Sequence, residues 1–406
     1  MSTFKKVLLS LFGLLLVAEL GFLGTLFFFG GDDGGFIGLP FPAASEAPKP
    51  TGTPSTGEPD RGAIGEPTQA AVTEAPTETP TEAPTEAPTE PPETRYTISF
   101  TGDCTLGSDK DKWNAGYSFV QTIGENYDYP FEKVRSIFEA DDFTLINLEV
   151  VLSDEGVSRG KLFTFRGPTA YSQILTGSSV EGVTIANNHS RDFGQTGYDS
   201  TKQVLEDAGV EYAENYSSTI FILNNDLVVG LYAVDGSTAG IDIDRAEEGI
   251  RQLKEDGAEL IIVAAHWGSE GKYRPNSLQQ KAGKAFIDAG AHIVWGHHSH
   301  VLQPIEEYNG GIIYYSLGNF SFGGNSNPRD KDSAILQQEI IRDEAGNVTL
   351  GELTIIPASI SSVEDRNNYQ PMPLEEGTEQ YARILSKLDG SFEGKNLVVD
   401  YSNVKS

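Results

Sequence analysis

Residues 260–270 read LIIVAAHWGSE, and residues 291–300 read AHIVWGHHSH. Each stretch contains a short apolar run of strand length and then a cluster of polar side chains that includes histidine. Continuous apolar runs are typical of strands that are buried on both faces, as in a parallel sheet. Because ligands bind at the carboxyl ends of such strands, both stretches predict a sheet that carries its functional groups along one edge.

Further apolar runs of this kind recur from Tyr96 onward. The predicted strands are Tyr96–Thr101, Phe143–Leu148, Gly182–Ala186, Leu227–Val234, Leu260–Ala265, His292–Trp295 and Ile312–Ser316. Helical patterns lie between several of them, at Phe131–Glu139, Tyr198–Ala208, Asp244–Glu255 and Ser277–Ala289. Strand and helix in alternation favour an α/β fold with a largely parallel sheet. The later segments Ala334–Arg342 and Val348–Ile356 predict additional antiparallel strands.

Polar clusters stand at five predicted strand ends. In chain order they are Gly102-Asp103, Asn147-Leu148-Glu149, Asn187-Asn188-His189, His266-Trp267-Gly268-Ser269-Glu270 and Gly296-His297-His298-Ser299-His300. The chain has six histidines, and five of them fall in these clusters. Histidines scattered through a core or a surface would not gather in this way, so the pattern predicts a metal or catalytic site. The sixth, His292, is interpreted as structural.

The composition of these clusters indicates the chemistry of the site. Imidazoles combined with carboxylates and an amide oxygen suit zinc, iron or manganese. His298 and His300 are two residues apart, so in a loop both can turn toward one point. Two cations bridged by a carboxylate would hold a substrate oxyanion and polarise a water, and His189 is predicted to protonate the leaving oxygen. An isolated Asn-His pair is more often a turn, but its repetition at successive strand ends favours a site.

This set of motifs resembles that of the CapA family of capsule-synthesis (poly-γ-glutamate biosynthesis) proteins. The residues that carry the resemblance, within about 96–375, are Asp103, Asn147-Leu148-Glu149, Ala186-Asn187-Asn188-His189, His266-Trp267-Gly268, Gly296–Gln303 and Tyr315–Phe320. That family is similar to calcineurin-like metallophosphoesterases. The resemblance therefore implies a metallophosphoesterase-like α/β/β/α sandwich, in which two packed sheets are flanked by helices.

The resemblance also implies roles for individual residues. Asp103 and Glu149 correspond to metal carboxylates, with Glu149 in the bridging place, and His189 corresponds to the catalytic imidazole. The further metal ligands that it implies are Asn188, His266, His298 and His300. Because two histidines are adjacent at 297 and 298, the alignment leaves open which of them is the ligand.

Four residues are placed as contacts to substrate. They are His297, Glu270, Gln303 and Asn319. The alternative for Glu270, Gln303 and Asn319 is that they hydrogen-bond within their own loops.

Two positions depart from the metallophosphoesterase pattern. Thr105 stands two residues after Asp103, where those enzymes usually carry a histidine, and Glu149 replaces the usual aspartate. The first metal site is therefore expected to be one ligand short, and either one or two cations (manganese, iron or zinc) are expected to bind. Cys104 is expected to point away from the site as a buried thiol, because side chains alternate along a strand.

The N-terminal region predicts a membrane anchor. An apolar run over 7–30 follows Lys5 and Lys6 and precedes Asp32 and Asp33. As a helix it would be about 36 Å long, which is enough to cross a bilayer. The basic residues before the run predict a single-pass signal-anchor with the N-terminus inside and the rest of the chain extracellular. Cleavage near 43–44 is the alternative.

Residues 31–95 are predicted to be a disordered extracellular linker. Its larger part is rich in Pro, Thr and Glu, and a four-residue unit of the type Thr-Glu-Ala-Pro recurs over 77–92. Proline at every fourth residue forbids a helix, and these residues cannot build a core. The predicted organisation is a cytoplasmic tip at 1–6, a transmembrane segment at 7–30, this linker, and a folded domain at 96–406 with a C-terminal extension from about 366.

Charge and composition narrow the partners. The formal net charge is −30, from 59 acidic and 29 basic residues, and no cluster of Lys and Arg provides a nucleic-acid-binding surface. Two functions remain open. One is a metal-dependent hydrolase that acts on a phosphoester or an anionic cell-envelope polymer. The other is a non-catalytic polymer-binding or export subunit of a membrane exopolymer synthesis complex, which would act with membrane partners.

Overall fold

The computed structural model describes residues 93–399, so the predicted anchor at 7–30 and nearly all of the linker lie outside the described residues. The strands of the described part are β1 (Thr94–Thr105), β2 (Ser108–Asp109), β3 (Phe143–Leu148), β4 (Val151–Leu152), β5 (Phe165–Gly167), β6 (Gly182–Thr184), β7 (Glu211–Ala213), β8 (Ser217–Leu223), β9 (Leu227–Asp235), β10 (Leu260–His266), β11 (Ile293–His297), β12 (Ile305–Tyr308), β13 (Gly311–Tyr314), β14 (Asn319–Phe322), β15 (Asp332–Arg342), β16 (Val348–Ser359) and β17 (Met372–Pro373). The helices are α1 (Phe119–Ile123), α2 (Arg135–Phe138), α3 (Ser172–Thr176), α4 (Gly194–Ala208), α5 (Ile243–Glu255), α6 (Ser277–Ala289) and α7 (Glu379–Leu388). Between residues 93 and 399, no helix is both long and apolar enough to cross a membrane.

Most of these strands form two large sheets. The first has the order β17-β16-β15-β1-β3-β6-β7, and β14 also pairs with β1. Its strands β1, β3, β6 and β7 are parallel, whereas β15, β16 and β17 are antiparallel. The second sheet has the order β12-β13-β11-β10-β9-β8, with parallel strands in the middle and an antiparallel strand at each edge. The prediction of an α/β fold with added antiparallel strands is confirmed.

The two sheets share one apolar core. Phe100 of β1 and Trp295 of β11 belong to the same cluster of buried side chains, to which both sheets contribute. Because side chains alternate along each strand, the other faces of the sheets point away from this core. Helices α3 and α4 pack on the outer face of the first sheet, and α5 and α6 pack on the outer face of the second. The layers are therefore helix, sheet, sheet and helix.

One predicted helix is wrong as a single element. The segment expected to be helical over 131–139 contains a short 3-10 turn that ends at Phe131 and a single turn of α2. Val134, with φ of −119°, separates the two. Phe131 and Phe138 both pack on Phe320, at ring-centroid distances of 6.0 and 6.2 Å. The conformation of this segment therefore depends on packing against a distant part of the chain. It does not depend on a continuous helical face.

A buried ion pair ties helix α7 to the first sheet. The side chain of Lys387 is 2% exposed, and its Nζ lies 2.6 Å from Asp330 Oδ2 and 2.7 Å from Asp332 Oδ2. Asp332, the first residue of β15, also accepts hydrogen bonds from the guanidinium of Arg383. The position of α7 sets where the segment 390–399 begins.

Beyond α7, residues 390–399 form a segment that we call the C-terminal strap. Its backbone crosses the loop that follows β10: the N–H of Leu397 donates to the carbonyl of Gly271 at 2.9 Å. The side chain of Asn396 accepts the N–H of Tyr273 at 3.0 Å. The strap is therefore held beside the carboxyl end of β10.

Substitution Phe100→Ala is expected to lower the free energy of unfolding by about 3–5 kcal/mol. Phe100 is fully buried between the sheets, with ring-centroid distances of 5.7 Å to Trp295 and 5.6 Å to Tyr314. Urea unfolding followed by tryptophan fluorescence measures the change. The control is Val157→Ala, at a side chain that is 83% exposed, which should change stability by less than about 0.5 kcal/mol. Equal effects of the two substitutions would contradict a shared core.

Candidate metal centre

Polar side chains gather where the parallel strands of both sheets end. Asp103 is on β1, Glu149 follows β3, Asn188 and His189 follow β6, His266 ends β10, and His298 and His300 follow β11. The fold thereby brings together residues that are distant in the sequence. For example, the backbone N–H of His298 donates a hydrogen bond to Asp103 Oδ2 at 3.2 Å.

An irregularity in β1 places Asp103. The pairing of β1 with β3 shifts register between Phe100 and Asp103, and its pairing with β14 shifts between Asp103 and Thr105. Such bulges re-aim side chains next to functional sites. A Cβ atom at Gly102 would lie only 2.1 Å from the carbonyl oxygen of Gly318. Glycine is therefore required directly before Asp103.

The carboxylate of Asp103 is fully buried and is surrounded by hydrogen-bond donors. Its Oδ1 accepts from Asn147 Nδ2 at 2.8 Å and lies 3.0 Å from His297 Nδ1. Its Oδ2 lies 3.1 Å from His300 Nδ1. Burial opposes ionisation, but the hydrogen bonds from His297 and His300 hold the pKa of Asp103 well below its ordinary value. Asp103 is therefore an anion in the folded protein.

The surroundings of Glu149 differ from those of Asp103. It is fully buried, and no residue within 93–399 hydrogen-bonds either of its carboxylate oxygens. His266 Nε2 lies 3.5 Å from Glu149 Oε1, and His298 Nδ1 is another buried atom that has no partner among the described residues. Burial raises the pKa of Glu149 well above its ordinary value. Because buried polar atoms without partners are rare and costly, these atoms are arranged for a ligand that the polypeptide does not provide.

Two overlapping groups of side chains can each hold a cation. Glu149, His266 and His298 form the first group, and Asp103, Glu149 and His300 form the second. Within each group the ligand atoms lie within 4.8 Å of one another, and Glu149 belongs to both groups, as a bridging carboxylate would. Asn188 Oδ1, 2.7 Å from His266 Nε2, adds an amide oxygen to the first group. These residues fit divalent metal ions.

Two of the imidazoles in the ligand groups are neutral, and the third is held in its charged form by carboxylates. Burial, together with the neighbouring His298, lowers the pKa of His266 well below 6.5, and burial lowers that of His298 to about 4. Both rings are therefore neutral near pH 7, which is the form that binds a metal. Burial also opposes the charged form of His300, but the carboxylates of Glu149 and Asp103 outweigh it and raise its pKa to about 10. The same carboxylates would attract a cation.

The turn that carries two of these histidines is strained. His298 has φ of 83° and His300 has φ of 53°, in a region that residues other than glycine rarely adopt. Such conformations cost about 1–3 kcal/mol each and persist only where the surroundings enforce them. Here they direct His298 into the first ligand group and His300 into the second. His298, and not the adjacent His297, is thus the histidine with an unpaired ligand atom in a group.

His189 lies beside the ligand groups but belongs to neither. Its Nδ1 lies 2.6 Å from Oδ2 of Asp192, and its ring packs on Phe165 at a centroid distance of 4.4 Å. Asp192 is fully buried, and its other oxygen accepts from Lys161 Nζ at 2.8 Å. Sequence analysis missed Asp192. The signal that was available is a carboxylate three residues after a candidate catalytic histidine.

A cavity of about 540 Å³ opens beside the ligand groups. His189 and His300 line it, together with two of the predicted substrate contacts, Glu270 and Asn319. Asn319 also holds His300, because its Oδ1 lies 2.9 Å from His300 Nδ1. This cavity is the place where a substrate would reach both the ligand groups and His189.

The other two predicted substrate contacts, His297 and Gln303, do not line this cavity. His297 is fully buried, and its Nδ1 is directed to Asp103 instead of the cavity. Gln303 is also fully buried, where it accepts from Gln279 Nε2 and donates to the carbonyl of Lys272, both at 2.8 Å. Gln303 makes its hydrogen bonds within the protein, and His297 Nδ1 is directed to Asp103, whereas His297 Nε2 is buried without a partner among the described residues.

Three further residues lie as follows. Thr105 is buried, and its hydroxyl has no hydrogen-bond partner in the described part of the chain. Cys104 is buried in the cluster on the outer face of the first sheet, and burial raises the pKa of its thiol to about 12. His292 accepts the N–H of Ile261 through Nδ1 at 3.0 Å, away from both ligand groups.

Comparison with protein families matches residues 97–219 and 223–324 to the family described as "Bacterial capsule synthesis protein PGA_cap". The chain belongs to this family. The matched ranges contain both ligand groups and His189, whereas the C-terminal strap of this PGA_cap protein lies beyond them.

Relatives in three bacteria agree with this assignment. The "PGA biosynthesis protein CapA" of Bacillus subtilis is 30% identical over 289 residues, which are 66% of this chain and 74% of the relative. The "Capsule biosynthesis protein CapA" of Bacillus anthracis is 29% identical over 67% of this chain and 71% of the relative. A "Probable polyglutamine synthesis accessory protein" of Mycobacterium tuberculosis is 26% identical over 57% of this chain and 70% of the relative.

Similarity to solved structures is weak. The NAD nucleotidase of Haemophilus influenzae is 14% identical with a TM-score of 0.36, over 74% of this chain and 56% of that one. A purple acid phosphatase from yellow lupin seeds is 10% identical with a TM-score of 0.32, over 75% of this chain and 57% of that one. Scores this low establish neither a shared fold nor a shared activity.

Substitution Glu149→Gln is expected to weaken metal binding at both ligand groups, because Glu149 belongs to each. His266→Ala should affect only the first group. The expected loss of affinity is at least about 10–100-fold, which is typical even of residues that only support a metal ligand. Elemental analysis after loading with manganese or zinc measures the stoichiometry. His292→Gln is the control and should keep the wild-type metal content. A wild-type protein that takes up no metal under non-chelating conditions would contradict the assignment.

Proposed function

We propose that this protein is a metal-dependent hydrolase of phosphoesters that acts in capsule or poly-glutamate synthesis on the outer side of a bacterial membrane. The observation that carries the proposal is Glu149, a fully buried carboxylate without a hydrogen-bond partner in the described part of the chain, shared by two ligand groups. Family membership and the names of the relatives support the pathway. The layered fold, with ligands at strand ends, supports the resemblance to metallophosphoesterases.

The ligand set fits manganese, iron or zinc. The residues that would hold one or two of these ions are Asp103, Glu149, Asn188, His266, His298 and His300. A bound ion would supply Lewis-acid polarisation of a phosphoryl group and would offset its negative charge. The residues of the chain position that group, because Glu149 is buried at the junction of the ligand groups and His300 lines the cavity.

His189 and Asp192 supply proton transfer. Asp192 Oδ2, 2.6 Å from His189 Nδ1, keeps a proton on that nitrogen and fixes the ring, so Nε2 is the atom that exchanges a proton with a leaving oxygen in the cavity. Lys161 Nζ lies 2.8 Å from the other oxygen of Asp192 and places a positive charge beside it. The arrangement is therefore a carboxylate that orients a histidine next to the ligand groups.

A non-catalytic role in handling the polymer is the second candidate. Thr105 in place of a histidine leaves the second ligand group with Asp103, Glu149 and His300. The Mycobacterium tuberculosis relative is named an accessory protein. In this second case metal binding would persist without turnover. A screen of phosphoesters and γ-glutamyl polymers with metal-loaded protein separates the two functions.

Substitution His189→Ala is expected to lower kcat by about 10²–10⁴-fold and to leave bound metal unchanged, because His189 belongs to neither ligand group. Asp192→Asn should act in the same direction, since an amide no longer favours a proton on Nδ1. Lys161→Met is the matched control and should cost less than either, because it removes hydrogen bonds to Asp192 and to the backbone carbonyl of Asn188 but leaves the His189–Asp192 pair intact. Hydrolysis of p-nitrophenyl phosphate and elemental analysis give the two readouts. Full turnover by metal-loaded His189→Ala would mean that this residue only braces its loop.

The membrane part of the proposal rests on the apolar run over 7–30, outside the described residues. We expect the full-length protein to remain in the membrane pellet after an alkaline carbonate wash, because a span of about 20 apolar residues anchors a chain stably. Protease added to intact protoplasts should degrade the folded domain. A protein that is recovered from the medium with a new N-terminus near residue 44 would contradict a retained anchor.

A further inference from the structure

The cavity beside the ligand groups has a polar end and an apolar wall. The polar end contains His189, His300 and Asn319. The side chains of the wall include Leu162, Phe165, Val301, Phe322, Leu397 and Val399. Phe165 packs on His189 at a centroid distance of 4.4 Å, and Phe322 packs on His300 at 5.1 Å. The apolar wall therefore begins directly at the residues that would act on a substrate.

The C-terminal strap completes this wall. Leu397 is held in place by the hydrogen bond from its N–H to the carbonyl of Gly271, and Arg329 donates to the carbonyl of Val398. Leu397 and Val399 line the cavity, whereas Val398 between them is 72% exposed. This alternation is what an extended segment with one face on the cavity produces. The strap lies outside the residues that match the family.

The charges of the cavity lining outside the ligand groups provide no surplus of positive charge for a second anionic group. Four carboxylates line the cavity outside the ligand groups, and two cationic side chains accompany them. The carboxylates are those of Asp109, Asp111, Glu270 and Asp330, of which Asp111 and Asp330 are paired with Lys110 and Lys387, and the cations of the lining are Lys112 and Arg329. Without a surplus of positive charge, the lining offers no electrostatic complement to a chain of repeated carboxylates. A polyanionic chain would place negative groups against this surface, whereas an uncharged apolar group would meet the wall.

We propose that the site takes an ester with one anionic group and an apolar alkyl or aryl substituent, which lies against the wall that the strap completes. This inference rests on the proposed hydrolase function and narrows its substrate class. A cavity of about 540 Å³ lies within the range of small-molecule sites and can hold such a substituent beside the ligand groups. A γ-linked polyglutamate chain is then not the ligand of this cavity.

Alkylphosphonates from methyl to butyl test the inference, because they carry one anionic group and are not hydrolysed. Their affinities for the manganese-loaded, full-length protein are measured by calorimetry. We expect affinity to rise with each methylene, by up to about fourfold, which corresponds to about 0.8 kcal/mol for a fully buried CH₂. A short γ-linked glutamate oligomer, added as competitor, should displace butylphosphonate poorly.

Leu397→Ser should abolish most of the gain from methyl to butyl and leave the affinity for methylphosphonate within about twofold. Val398→Ser is the matched control, a neighbouring residue of the strap that faces solvent, and should keep the wild-type series. Val399→Ser provides a second test on the cavity side, and thermal unfolding verifies that each variant is folded.

An affinity that stays the same from methylphosphonate to butylphosphonate in the wild-type protein would overturn the inference. Equal losses of the gain in affinity in Leu397→Ser and Val398→Ser would also overturn it. Displacement by the glutamate oligomer at the concentration that butylphosphonate requires would also overturn it. Failure of the proposed function itself gives a different result, because the metal-loaded protein would then hydrolyse none of the phosphoesters in the screen, whatever the alkylphosphonate series shows. A short anion that binds without any gain from the alkyl chain refutes the substrate class alone.

Discussion

The burial of two carboxylates between apolar sheets is the constraint on which the rest of the site depends. Removing a carboxylate from water costs several kcal/mol unless donors or positive charge replace its hydration. Asp103 receives this compensation from Asn147, His297 and the backbone of His298, whereas Glu149 receives no hydrogen bond from the described residues. Asp103 is therefore part of the protein's own hydrogen-bond network, whereas the charge of Glu149 is available to bind a cation.

Irregularities of the backbone position the side chains around these buried carboxylates. The register shifts of β1 around Asp103 and the positive φ values of His298 and His300 occur where the two sheets meet. Regular strands would direct alternate side chains to opposite faces and could not converge on one point. The apolar core between the sheets, with Phe100 and Trp295 at its centre, holds these strained turns in place.

The end of the chain contributes to the site although it lies far from the ligands in the sequence. Lys387 and its buried partners Asp330 and Asp332 fix α7 on the first sheet, and the strap then runs back to the loop after β10. The same segment that closes the fold thereby supplies Leu397 to the cavity wall. The strand ends thus supply the groups proposed for the chemistry, and the strap supplies part of the wall proposed to select the substrate.

The sequence by itself determined the α/β class, the bounds of β3 and α6, and the clustering of histidines at strand ends, because apolar runs and helical periodicity are local properties. It did not reveal the interruption at Val134, the buried positions of His297 and Gln303, or the pairing of His189 with Asp192. Each of these depends on contacts or backbone angles that involve distant segments. His297 and His298 are chemically identical neighbours, and only the tertiary structure places His298 in a ligand group and directs His297 Nδ1 to Asp103, because a positive φ and the position of Asp103 across the sheets set where each ring points.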